Sequence, residues 1–308
     1  MNSKNRRIYG IICTLLGGFA WGFSACFGQY LFENVVIETE WLITFRLLIA
    51  GTLFTTIGIV TRGKQTFAIF KNRRDTFTLV MFGLLGMMMC QYTFYATIKL
   101  SNAGTAAVLQ SLGTIFILLI VCMRKRQLPR LKQLIAIVLA IFGVVLLNTN
   151  GDFSTITMSK AVLFYGLCSA LGVGFYSMLS EGIIRKYGLY SVAGLGMIIG
   201  GLAILPFSRP WETYVPITVP LVVGMFGVII LGTAIAFGFY LKGVSIVGSL
   251  MGSLLGAMEP VSAVVISAVI LKSNFTAVEL IAFALIIGNV FWLCLQERTP
   301  KNKKISKT

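Results

Sequence analysis

Ten apolar runs, each about as long as a bilayer is thick, constrain this chain more than any other feature. They span residues 8–31, 41–60, 76–98, 102–123, 131–147, 159–181, 189–207, 217–241, 245–271 and 276–294. Crossing the ~30 Å hydrocarbon core takes roughly 20 apolar residues of helix. No water there satisfies a stray N–H or C=O, so a spanning segment must close its own hydrogen bonds, as a helix does. Charged residues make up 12% of the chain, about half of the roughly 25% in a soluble domain. An all-α polytopic membrane protein with ten transmembrane helices is therefore expected. The first run, Ile8 to Leu31, is too long for the apolar core of a cleavable signal and reads as the first span.

The net charge of +16 would suit a nucleic-acid partner if it formed a patch. Instead the basic residues sit in short joints and tails between apolar runs, where they set orientation, so nucleic acid is not an expected partner. With the N-terminus cytoplasmic, 21 of the 26 basic residues fall on the cytoplasmic side. Only Lys99, Lys160, Arg209 and Lys272 fall outside, and Arg46 lies within a helix. That bias predicts both termini in the cytoplasm. The joints Lys99 to Asn102 and Lys242 to Val244 are so short that the helices flanking each are antiparallel neighbours. There is no histidine, which removes the usual neutral-pH base and a common metal ligand. The six cysteines fall in or beside apolar runs with no CxxC pair, so they read as small packing residues rather than a disulfide or metal site. No cofactor is called for.

Within the ninth run, Gly248, Gly252 and Gly256 recur at i, i+4 and i+8 and form one ridge where a neighbouring backbone can approach closely. Glu259 and Pro260 extend that ridge, and Glu259 is the run's only acid. Proline donates no N–H and would free the carbonyl of Gly256, opening the helix near its middle. A break at that depth survives only where protein or a wet cavity satisfies the backbone.

The chain also resembles itself. Phe94-Tyr95 precedes the Lys99 joint as Phe239-Tyr240 precedes the Lys242 joint, and the small residues Ala103 to Ala107 and Ser111 correspond to the Gly248–Gly256 ridge. Five helices per half is an odd number, so two similar halves, residues 1–150 and 151–298, must insert in opposite senses; residues 299–308 form a basic cytoplasmic tail. Inverted repeats are a signature of transporters, with the substrate site between them. Small residues recurring at helix contacts would produce part of the same pattern in any helical membrane protein.

Three elements, in order, resemble the drug/metabolite transporter superfamily, specifically its EamA-type ten-helix permeases. They are Gly17-Gly-Phe-Ala-Trp21-Gly22 in the first helix, Phe45-Arg46-Leu-Leu-Ile-Ala50 in the second, and Met258-Glu259-Pro260-Val261 in the ninth. The chain departs from the family pattern at Gly113-Thr114, where a proline is frequent, and at Lys272-Ser273 and Arg124-Lys125, where the family has acids. The resemblance implies two inverted five-helix units around a central cavity, with helices five and ten more peripheral. It also implies transport of small metabolites, often export of amino acids or toxic compounds, by exchange or with protons.

Glu259 is the foremost candidate for substrate binding or coupling, because a carboxylate at mid-bilayer costs several kcal/mol and is functional by default. A purely structural role, holding the broken helix to a neighbour, stays open. Arg46 could pair with Glu259 or with an anionic group of the substrate; the alternatives are snorkelling to the interface or an ion pair with Glu38 or Glu40. Gln91, Tyr92 and Tyr95 form a polar–aromatic cluster in the third helix, and Gln110 lies in the next. Amides and phenols there suit an amphipathic or aromatic substrate, or simply hydrogen-bond between helices. Trp21, Tyr176, Phe237 and Tyr240 are candidate cavity aromatics, with lipid-facing or interfacial packing as the commoner role of an aromatic in a chain of 23 Phe and 10 Tyr, whereas Glu181 reads as solvated at a helix end. Gly248, Gly252, Gly256 and Pro260 are assigned to the helix break and its packing.

The function expected is a secondary transporter in the bacterial plasma membrane, exporting small neutral or zwitterionic metabolites by alternating access. Its partners would be that substrate, the lipid bilayer and, as a coupling option, protons; a homodimer is one option for assembly. Nothing matches a phosphate-binding loop, so ATP is not the energy source within the chain. An embedded enzyme would need several catalytic groups at one depth, and Glu259 is alone there. A channel would show polar residues recurring along several helices, which these apolar helices lack.

Overall fold

The computed structural model describes residues 3–152, 158–247, 255–256 and 258–296, and every regular element among them is helical. Among the described residues, eight helices are long and apolar enough to cross a bilayer. They are α1 (Ser3–Asn34), α2 (Thr39–Arg62), α3 (Arg73–Leu100), α4 (Ala103–Ser111 and Gly113–Lys125, joined at Leu112), α5 (Leu131–Thr149), α6 (Lys160–Tyr187), α7 (Leu189–Ser208) and α8. Helix α8 is built of Val219–Phe226, Gly227–Ile235 and Ala236–Val247 end to end. Two shorter apolar stretches follow among the described residues, Met258–Val269 and Ala277–Asn289, in α9 (Met258–Val269) and α10 (Ala277–Gln296). The ninth apolar run is thus described as a continuous helix only from Met258. Gly248 and Gly252 lie outside the described residues, while Gly256 and Pro260 are both helical and Pro260 is buried.

Polar joints start the helices. Asn72, Asn102, Ser159 and Thr218 each cap a helix with a side-chain oxygen that accepts a backbone N–H of the first turn, at α3, α4, α6 and α8. Proline 220 then occupies the opening turn of α8, where its missing N–H has no partner to lose.

In lipid the hydrophobic effect does little to pull helices together, so close packing of small residues carries the association. The most extensive pairing is α2 on α7. A Cβ added to Gly51 would lie 2.9 Å from Ile198 N, and one added to Gly194 would lie 2.5 Å from Thr55 N, so the two backbones nearly touch. Helix α1 packs on α8 and α9, while α6 packs on α3 and α4; α3 also meets α7, α2 meets α8, and α5 meets α10. In the last pair, Asn289 Nδ2 donates to the Ala136 carbonyl.

Two stretches depart from α geometry in the same way. Phe82–Met89 in α3 and Gly227–Ile235 in α8 are π-type, with wider turns. Such turns shift the register of side chains along a helix and recur near functional sites. Both stretches border the cavity described next.

Candidate functional site

A cavity of about 200 Å³ lies among α1, α2, α3, α4, α6, α7, α8 and α9. It brings together Trp21, Arg46, Gln91, Tyr95, Gln110 and Glu259, six residues that the sequence nominates from five different helices. Arg46 and Glu259 are the lining residues that carry formal charge among those described. Gly86 and Met87 of the α3 π-type stretch, and Gly232 and Thr233 of the α8 one, form part of the wall.

Arg46 stays inside. It is 8% exposed, and its guanidinium carbon sits 4.8 Å from the centroid of the Tyr95 ring, within cation–π range. The alternatives for this residue are not formed. Glu38 pairs with Lys99 at 2.6 Å, Glu40 accepts from Tyr92 Oη at 2.8 Å, and the burial leaves no room for snorkelling. Tyr95 is itself fixed by a missing side chain: a Cβ on Gly28 of α1 would overlap its ring. Beside it, Phe94 and Phe32 pack at centroid distances of 5.4 and 6.5 Å.

Glu259 is set by the glycine run of α1. A Cβ on Gly18 would lie 3.2 Å from the Gly256 carbonyl oxygen, and one on Gly22 would lie 2.5 Å from the Glu259 carbonyl oxygen and overlap Ser262 Oγ. The Gly17–Gly22 and Gly256–Val261 elements therefore form one helix contact, and it is this contact that delivers the Glu259 side chain to the cavity.

The remaining candidates divide. Gln110 Nε2 donates to Ser169 Oγ at 2.7 Å, tying α4 to α6 while lining the cavity. Tyr92 turns away from the cavity to Glu40. Trp21 packs against Phe237 and Tyr240 at centroid distances of 5.0 and 4.9 Å. Phe237 and Tyr176 line the cavity, whereas Tyr240 lies behind Trp21 and against Gly17. Glu181 is solvated and pairs with Arg185 at 3.0 Å. Sequence reasoning missed Ser24, Met87, Cys90 and Thr233, which also line the cavity. Met87 lies four residues before Gln91 on the helical face that continues to Tyr95, so extending that face backwards would have found it. Ser24 and Thr233 carry no such signal.

At one end of the bundle, where α1, α4 and α9 converge, Gln29 forms a buried knot. Its Nε2 donates to Glu33 at 2.7 Å and Ser273 at 3.0 Å, and its Oε1 accepts from Ala103 N and Ser267 Oγ, both at 2.9 Å. At the other end, Asp75 of α3 accepts from Lys186 and Tyr187 of α6. Polar ties therefore cross between elements at both ends of the cavity.

Comparison with known proteins bears on what such a cavity serves. The pattern of the EamA-like transporter family matches residues 8–149 and again residues 160–295. The uncharacterized inner membrane transporter YicL of Salmonella typhimurium is 33% identical over 94% of this chain and 96% of its own length. An uncharacterized transporter of Methanothermobacter thermautotrophicus is 24% identical over 94% of this chain and 87% of its own length. One solved crystal structure superposes with a TM-score of 0.59 at 17% identity, covering 96% of this chain and 99% of that one, a likeness of fold alone.

Proposed function

The chain belongs to the EamA-like transporter family and is a multi-pass membrane transporter; on that premise we propose that it is a secondary transporter exporting small neutral or zwitterionic metabolites by alternating access, coupled to protons. The observation that carries this reading is the cavity. Helices from both halves of the chain line it, and it holds one acid, one base and several aromatic faces together. Ligand sites have this make-up, an apolar lining with few polar anchors, and a volume below the usual range of roughly 300–1,000 Å³ suits a small substrate.

Two inverted five-helix units are part of the proposal, and the packing supports them. Exchange each helix for the one five places along, and the most extensive pairings map onto one another. Helix pairs α2·α7 and α5·α10 map onto themselves, α1·α8 onto α6·α3, α1·α9 onto α6·α4, and α3·α7 onto α8·α2. The π-type stretches fall in the equivalent helices α3 and α8, and the family pattern matches once per half. We place the protein in the bacterial plasma membrane with both termini cytoplasmic, because 21 of its 26 basic residues then face inward.

The mechanism follows from that arrangement. The two halves rock about the cavity, opening it to one side and then the other. Protonation of Glu259 removes a charge from a site of low dielectric and so biases one of the two states. The aromatic faces of Trp21, Tyr176 and Phe237 hold the apolar part of the substrate. Counterflow tests the reading: proteoliposomes preloaded with a pool of small metabolites should exchange at least one of them saturably against external label. Flux that rises linearly with concentration and shows no counterflow would instead identify a channel.

A further inference from the structure

We infer that the joint between α2 and α3 is a binding surface for anionic phospholipid, with lipid phosphate on its cations and acyl chains beside its phenylalanine rings. The inference goes beyond the transport reading: it uses only the spanning helices and stands whatever the cavity carries. Helix α2, 24 residues long, measures about 36 Å at 1.5 Å per residue and so crosses the hydrocarbon core by itself. Gly63 follows with φ +58°, a conformation that favours glycine. It turns the chain into a 3-10 helix, Gly63–Lys71, before α3 begins at Arg73. This stretch therefore lies at the level of the headgroups, between two helices that span.

Its side chains sort by the three-residue period of such a helix, in which residues i and i+3 eclipse. Thr66 and Ile69 form the buried row, packed against α2, α3, α6 and α7. Lys64, Phe67 and Phe70 form an exposed row, the two rings 45% and 48% exposed, and Lys71, Arg73 and Arg74 are exposed just beyond its end. Rings at the acyl boundary with cations among the headgroups are how an amphipathic segment lies in an interface. The cations are uncompensated. Among the described residues none of Arg62, Lys64, Lys71, Arg73 and Arg74 has an ion-pair partner within 4 Å. The acids described on this side are taken, Asp75 by Lys186 and Tyr187, and Glu181 by Arg185. Under the proposed orientation the joint faces the cytoplasmic leaflet, whose anionic lipids attract such a cluster. The rings select lipid over a soluble anion, since free phosphate meets the cations and leaves Phe67 and Phe70 bare. Arg62 supplies a fixed point: a Cβ on Gly188, φ +86°, would lie 2.7 Å from Arg62 Nε, so the guanidinium rests on the turn between α6 and α7. A headgroup held there sits on the seam between the two halves of the chain.

The test uses purified full-length protein in a neutral detergent. Native mass spectrometry reads the lipid retained, phosphatidylglycerol against phosphatidylcholine of the same acyl chains. The thermal midpoint is read with each lipid and with inorganic phosphate. Wild type should retain phosphatidylglycerol about fivefold or more over phosphatidylcholine. The triple variant Lys64→Gln, Lys71→Gln, Arg73→Gln should lose most of that preference. The triple variant Arg126→Gln, Arg130→Gln, Lys132→Gln removes the same charge at the joint between α4 and α5 and should keep the preference within about twofold. The pair Phe67→Ser, Phe70→Ser keeps every charge and should hold phosphatidylglycerol several-fold more weakly. Should a triple variant not fold, single variants decide: Lys64→Gln and Lys71→Gln should each lower the preference, and Lys132→Gln should not. The inference is overturned if wild type retains both lipids alike, if variants at the two joints lose the preference equally, or if inorganic phosphate raises the midpoint as much as phosphatidylglycerol. Undiminished retention by the serine pair would also defeat it, by showing a site for anions alone. None of these readouts depends on transport, so a protein that fails counterflow leaves the inference standing.

Discussion

At the scale of single residues, the cavity's lining side chains are positioned by what their neighbours lack or offer. Arg46 lies over the flat face of Tyr95, so the ring, not the hydroxyl, is what positions it. Tyr95→Phe should therefore leave transport within about twofold of wild type. Tyr95→Leu should lose the contact, worth ~0.5–2 kcal/mol, and raise the substrate concentration for half-maximal flux several-fold. Initial-rate curves for the two variants check this; equal losses would show that the hydroxyl matters instead. Polar residues in apolar runs stand out in a sequence, which is why Arg46, Gln91, Gln110 and Glu259 were legible. Their partners were not. Nothing local in the sequence says that Tyr92 turns to Glu40 while Tyr95, three residues on, turns to Arg46, because that choice is made by the neighbouring helices.

At the scale of elements, the contact between α1 and α9 decides whether Glu259 reaches the cavity. Gly22 has no room for a Cβ, which would strike Ser262 and the Glu259 carbonyl. Gly22→Val should push α9 away and destabilise the bundle by ~1–3 kcal/mol, lowering the thermal midpoint, and transport should fall with it. Wild-type stability and rate in this variant would mean that the two helices are not in contact in the working protein. The apolar runs mapped closely onto α1 to α7, since length and hydropathy alone specify a spanning helix in lipid; the joint expected at Lys242 to Val244 is instead helical, and α8 runs through it to Val247. The π-type stretches of α3 and α8 were not legible, because one widened turn leaves hydrophobicity unchanged. Both glycine-bearing elements were visible as motifs, but only the fold revealed that Gly17–Gly22 and Gly256–Val261 meet each other.

At the scale of the whole molecule, the proposed transport cycle needs two five-helix units that insert in opposite senses. A repeat of this kind was faint in the sequence, at Phe94-Tyr95 and Phe239-Tyr240, and its proposal leans on the helix pairings, because packing pattern persists where side-chain identity has drifted. An odd number of helices per unit places the two chain ends on the same side. Fluorescent-protein fusions at either terminus should both fluoresce, and alkaline-phosphatase fusions there should both be inactive, as cytoplasmic ends require. A phosphatase fused after the Lys99 joint should be active, since the proposed orientation puts that joint on the outer side. Opposite signals from the two termini would overturn the ten-helix arrangement.

The central claim is that the cavity is a transport site and that Glu259 couples it to protons. Everted membrane vesicles holding wild type, Glu259→Gln or neither test it most directly, offered a pool of small metabolites with and without an imposed proton gradient and analysed for contents by mass spectrometry. Wild type should accumulate a compound only under the gradient, and neither the variant nor the empty vesicles should accumulate it. Equal, gradient-driven accumulation by wild type and a normally folded Glu259→Gln protein would contradict that claim and reduce Glu259 to a packing residue.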